Sequence, residues 1–177
     1  NPWPNLDDEV AILKSYTLNY RVIEEMPELH VAYIPVAKNS IQGQRTYKTS
    51  PFVIKKLTDE QPAGVPITIR FTGPSTFTLE INPDDLDNED QNVSRKSDRN
   101  GEGAEHRLGE VYNRNGFNFV VEQRDTTVNI RAGTRWLVWF ESPSNLANAY
   151  RSALKVDPVN EGATVFTLSY DGYSPQQ

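Results

Sequence analysis

The chain has 177 residues, with 18 lysines and arginines against 24 aspartates and glutamates for a formal net charge of -6, and it contains no cysteine. This balance leaves no electrostatic footprint for nucleic acid and nothing to draw the chain to an anionic bilayer. The lack of cysteine removes disulfides, thiolate metal sites and a cysteine nucleophile together. The longest apolar run, Trp136 to Phe140, is far short of the ~20 residues of a membrane helix, so the sequence reads as one soluble domain, residues 1–177, with a long insertion.

At the N-terminus, Asp7, Asp8 and Glu9 stand where a helix macrodipole favours acids, and Val10, Leu13, Leu18, Val22, Ile23 and Met26 recur near helical spacing until Pro27 stops them. Ser15 suits the cap of a second segment, which breaks the helix midway. From His30 the period becomes two, predicting strands at 30–34, 52–57, 67–71 and 76–81.

Residues 83–107 hold almost no apolar side chain and set an acidic block before a basic one, which predicts a solvated, mobile insertion. Phe117, Phe119 and Val121 then alternate, the strand pattern continues through Val128 and Ile130, and "RWLVWF" at 135–140, apolar on both faces, predicts a central strand. Ser142 as N-cap and Pro143 at the first helical position open a helix carrying Leu146, Ala149, Tyr150, Ala153 and Leu154 on one face. A short strand at Lys155 and Val156 and a closing strand at 164–170, joined by "DPVNEGA", predict an antiparallel pair.

These elements add up to an α+β fold: a mainly antiparallel sheet, helices at 7–26 and 143–154 packed on one face, and a strand-rich middle section that can curl into a small sandwich. The nearest alternative is two subdomains.

Chemistry leaves few marks. No stretch supplies the G-x-x-x-x-G-K-[ST] cradle for phosphate, and "GEGAEH" at 101–106 lacks the third glycine of a dinucleotide fingerprint. His30 and His106, the only histidines, lie far apart without an H-E-x-x-H context and read as structural or solvated. In "DDLDNED" at 84–90, a calcium loop begun at Asp85 puts Asp90 where glycine is needed and Lys96 where the bidentate glutamate belongs, so the segment reads as a solvated loop. "NVS" at 92–94 matches a glycosylation sequon by pattern alone. Trp136, Trp139, Phe140 and Tyr150 could stack on sugar rings, and two acids could meet in the fold for glycoside hydrolysis, but aromatics at this spacing read first as core. No catalytic, cofactor-binding or metal-binding residue is assigned.

Five segments in order resemble the periplasmic region of bacterial polysaccharide co-polymerases, the chain-length determinant proteins and their tyrosine-autokinase relatives, most of all the Bacteroidetes type. "DDEVAILKSYTLNYRVIEEM" at 7–26 is similar to the family's opening helix, and "TYKTSPFVI" at 46–54 to its Y-x-x-S-P-F-x-V strand entry. "RLGEVYNRNGFNFVV" at 107–121 resembles a segment in which a G-E pair precedes alternating phenylalanines. "LANAYRSALKV" at 146–156 and "TVFTLSYDGYSP" at 164–175 resemble the closing helix and strand.

The resemblance implies a non-catalytic scaffold at the periplasmic face of the inner membrane that regulates the chain length and export of a capsular or exopolysaccharide. It implies membrane helices before Asn1 and after Gln177 and, in autokinase forms, a cytoplasmic kinase domain outside this chain. The implied partners are further copies of the full-length protein, the polysaccharide polymerase and export machinery, and glycan, with no nucleic acid and no cofactor. The chain itself is expected to lack kinase and ATPase activity. Its acidic, polar surface leads to a monomer or at most a weak dimer. The competing reading is a carbohydrate-binding β-rich module or small glycan-active enzyme, which needs a concave cleft of aromatics and carboxylates.

Overall fold

The computed structural model describes residues 7–36, 45–46, 48–81, 103–125, 127–159 and 165–170. The fold is α+β, its named strands all pairing antiparallel, and the chain divides into two compact units, Asn1–His30 with Ser142–Gln177, and Val31–Glu141.

In the first unit, α1 (Asp7–Leu13) and α2 (Tyr16–Glu24) are separated at Ser15. The Ser15 hydroxyl accepts the Leu18 N–H at 3.3 Å, the capping that its side chain suits. Asn19 reinforces the break, its side-chain amide donating to the Leu13 carbonyl at 3.0 Å and the Ser15 carbonyl at 2.9 Å. A 3₁₀ turn, Pro27–Leu29, follows α2. Helix α3 (Pro143–Ala153) opens as its sequence dictates, with the Ser142 hydroxyl accepting the Asn145 N–H at 3.3 Å and Pro143 in the first turn. Helices α2 and α3 pack on each other, and Ile23, Leu146 and Ala147 are buried. Strand β9 (Leu154–Pro158) leaves α3 directly and pairs with β10 (Phe166–Tyr170), with Val156 opposite Leu168.

The second unit is a small sandwich. One sheet runs β1-β8-β3-β4-β5, from β1 (Val31–Val36), β8 (Arg135–Phe140), β3 (Ile67–Phe71), β4 (Thr76–Ile81) and β5 (Glu105–Arg107). The other runs β2-β7-β6, from β2 (Phe52–Lys56), β7 (Phe117–Gln123) and β6 (Val111–Arg114). Alternation puts Ile67, Ile69, Phe71, Phe77, Leu79 and Ile81 of one sheet, and Phe52, Ile54, Phe117, Phe119 and Val121 of the other, into a shared core. Rings join the layers: Phe52 meets Tyr33 at 5.5 Å and Phe71 at 5.2 Å, and Phe140 meets Phe117 at 5.8 Å and Phe119 at 5.6 Å between centroids. β8 lies between β1 and β3, as its doubly apolar sequence requires, with Val138 and Phe140 inward and Leu137 and Trp139 half-buried on the other side.

Two expectations are corrected. The end of the predicted insertion is ordered: Glu105–Arg107 forms β5 on the edge of β4, and the His106 ring packs 5.8 Å from Phe77 and 5.6 Å from Tyr112. Backbone pairing with an open edge, plus one ring, replaces the apolar side chains that the segment lacks. Residues 83–102 of that insertion lie outside the described residues.

The strand expected through Val128 and Ile130 is instead a loop. The Asp125 carboxylate accepts from Thr127, the Val128 N–H returns to the Asp125 carbonyl at 3.1 Å, and the Gln123 side-chain amide donates to the Val128 carbonyl at 2.8 Å. Only Ile130 remains as a buried anchor. β6 and β7 join in a tight hairpin through Asn115 and Gly116, with φ of 55° and 78°, the paired left-handed conformation that an Asn-Gly turn supplies.

Candidate functional site

The residues singled out for sugar stacking sit mainly on β8, and strand geometry separates them. Trp136 faces inward and meets the Phe52 ring edge-on at 5.6 Å and 87°, while Phe140 is enclosed between Phe117 and Phe119. Trp139 points to the opposite face, where its indole N–H donates to Glu141 Oε1 at 3.0 Å. Arg45 closes the group, with Nη1 2.7 Å from the same oxygen and its guanidinium 4.9 Å from the indole centroid. Arg45 engages the ring face by a cation–π contact, and the Glu141 carboxylate accepts the ring N–H while pairing with Arg45. Tyr150, in the first unit, is stacked on Tyr170 at 5.1 Å and 14°. Within the second unit Trp136 and Phe140 therefore supply core and Trp139 a braced outer ring, while Tyr150 packs within the first unit. The same outward side of the five-stranded sheet carries Arg70 directly opposite Arg135 on the neighbouring strand, with Thr78 beyond.

The histidines are structural in the way single histidines usually are. His30 follows the 3₁₀ turn, is buried, and donates from Nε2 to the Ile23 carbonyl at 2.8 Å, while its Nδ1 has no partner among the described residues. His106 is held in the aromatic row of Phe77 and Tyr112. Among the described residues no group of three or more histidine or acidic side chains is placed to hold a metal ion. The "DDLDNED" segment and the 92–94 sequon lie outside the described residues. Of the 101–106 stretch, Glu105 is in β5 and accepts the Thr72 hydroxyl.

Three polar arrangements that sequence reading did not single out hold the second unit together. The Tyr33 hydroxyl accepts the Ile54 N–H at 2.9 Å across the core. Burial pushes the Tyr33 phenol above its ordinary value, against smaller opposing effects of that hydrogen bond and the Arg124 charge. Arg124 donates from Nε to the Ser50 carbonyl at 3.0 Å, and Ser50 is buried. The Gln61 amide acts as a surrogate strand residue beside β7, accepting the Asn118 N–H at 3.0 Å and donating to the Asn118 carbonyl at 2.9 Å. Each reads as polar or alternating residue in the chain, with nothing to mark its distant partner. At the surface, hydrogen bonds from the Thr127 N–H and hydroxyl hold the Asp125 carboxyl below the usual carboxylate range. These contacts fix strands and turns.

No protein-family model and no curated protein matches the chain. Among solved structures, two crystal forms of Xanthomonas campestris FlgL are similar. One is 11% identical with a TM-score of 0.31, covering 70% of this chain and 33% of that one; the other is 12% identical with a TM-score of 0.29, covering 70% and 34%. The chain thus spans about a third of FlgL, and likeness at this level carries no functional argument. Among the described residues no helix is long and apolar enough to cross a membrane.

Proposed function

We propose that this chain is the extracytoplasmic scaffold part of a membrane protein that regulates the length and export of a capsular or exopolysaccharide. The observation that carries the reading is the ordered set of five sequence segments, 7–26, 46–54, 107–121, 146–156 and 164–175, that resemble the co-polymerase periplasmic region. The grouping of Asn1–His30 with Ser142–Gln177 in one unit supports it, because a domain held by anchors on both sides needs its first and last segments together. The packed, braced aromatics favour a scaffold over a glycan-active cleft. In this reading the parent protein self-associates, meets the polymerase and export machinery at the periplasmic face of the inner membrane, and uses this chain for no chemical step.

The test is genetic. Deleting the coding region of residues 7–170 in frame from the parent protein should broaden or shift the length distribution of the surface polysaccharide on gels, and restoring it should return the distribution. An unchanged distribution overturns the proposal.

A further inference from the structure

Strand β10 has one edge without a strand partner among the described residues, and the chemistry of that edge is specific. The Val159 N–H donates to the Val165 carbonyl at 3.0 Å, and the register then pairs Thr167 with Asp157 and Ser169 with Lys155. Hydrogen-bonded and non-bonded pairs alternate in an antiparallel ladder, so Val165, Thr167 and Ser169 bond to β9 while the N–H and C=O groups of Phe166, Leu168 and Tyr170 turn outward. Pro158 opposite Phe166 fits this parity, since proline has no N–H to give.

Exposed edges are ordinarily blunted by charge or proline. β9 carries Lys155, Asp157 and Pro158, whereas 165–170, "VFTLSY", carries neither charge nor proline. Its side chains are open as well, with Val165 61%, Leu168 55% and Tyr170 47% exposed. A two-stranded hairpin is marginal alone and gains from a third strand.

We propose that β10 pairs antiparallel with β10 of a second copy of this chain, the two-fold axis passing through Leu168. The outward residues 166, 168 and 170 are symmetric about Leu168, so each outward N–H meets an outward carbonyl: Leu168 faces Leu168 of the second copy, and Phe166 faces Tyr170. This self-complementarity selects a second copy. A neutral strand also opposes itself without the like-charge penalty that the net charge of -6 imposes elsewhere. One strand pair buries less than the ~1,200 Å² at the lower bound of stable interfaces, so the dimer is weak and forms with concentration. The pairing stands independently of the polysaccharide reading.

Sedimentation equilibrium and amide hydrogen exchange on the unmodified chain test it. Weight-average mass should rise toward twice the monomer value with concentration, and the Phe166, Leu168 and Tyr170 amides should gain more protection than those of Thr167 and Ser169, which bond to β9 in either state. Leu168→Lys should hold the mass at the monomer value with an unchanged circular dichroism spectrum, and Val111→Lys, at an exposed site in the other unit, should associate like the parent. Concentration-independent mass, constant protection at the three outward amides, or a folded Leu168→Lys that associates like the parent overturns the proposal. Should Leu168→Lys fail to fold, the exchange pattern of the unmodified chain decides.

Discussion

The hydroxyl of Tyr33, on β1 of the five-stranded sheet, accepts the backbone N–H of Ile54, on β2 of the three-stranded sheet, at 2.9 Å. β2 is an edge of its sheet, and this N–H would otherwise be buried without a partner, at a cost of roughly 1–3 kcal/mol. Tyr33→Phe keeps the ring that packs on Phe52 and removes only the acceptor. It should lower unfolding free energy by that amount in urea titration, with the m-value unchanged. Wild-type stability in the variant would show that water replaces the hydroxyl.

The same phenol sets an alkaline limit. Its folded value is raised above the ordinary 10.0, so its contribution to stability is complete below 10.0 and is lost as pH rises through the raised value. Phenolate absorbance of the folded protein should show Tyr33 ionising above the ordinary value, and Tyr33→Phe should remove that contribution from the titration.

Gln61→Ala removes both bonds that its amide makes to Asn118 and exposes one backbone position of β7 to solvent. The expected loss is about 1–2 kcal/mol, with faster hydrogen exchange at the Asn118 amide. Gln61→Glu should recover little, because its carboxylate accepts from the N–H but faces the Asn118 carbonyl without a donor.

Gly116 holds a φ of 78° with the Pro62 ring 3.4 Å from where a Cβ would lie. Gly116→Ala should therefore cost about 1–2 kcal/mol, as a left-handed residue with a side chain does, read as a lower thermal midpoint. The same change at Gly73, which lacks a positive φ but where an added Cβ would lie 2.9 Å from Thr76 Oγ1, would act by displacing that hydroxyl instead.

Asp125 should titrate below the ordinary carboxylate value of 3.8, by carbon-detected NMR, since Thr127 donates twice to its Oδ1. The stabilisation is present above the unfolded value and lost as pH falls through the folded one. Thr127→Ala removes the hydroxyl donor and should move the titration back toward 3.8.

Helix starts and breaks were determined by the sequence alone. Ser15 and Ser142 cap the turns that follow them and Pro143 fits the first turn, because capping depends on residues three positions apart. β3 and β4 follow their period-two pattern to the residue, since alternation on a half-buried strand is also local. The tertiary structure decided the rest. Tyr33 and Ile54 are 21 positions apart, Gln61 and Asn118 are 57, and Arg124 and Ser50 are 74. No periodicity encodes such pairs, because a buried N–H or carbonyl takes whichever partner the packed sheets bring near. Likewise β5 forms in a stretch with hardly an apolar side chain, and the aromatics of β8 are divided between core and outer face. Backbone groups satisfied by a neighbouring strand, and rings placed by its pleat, gain their free energy from contacts that exist only once the two sheets have closed.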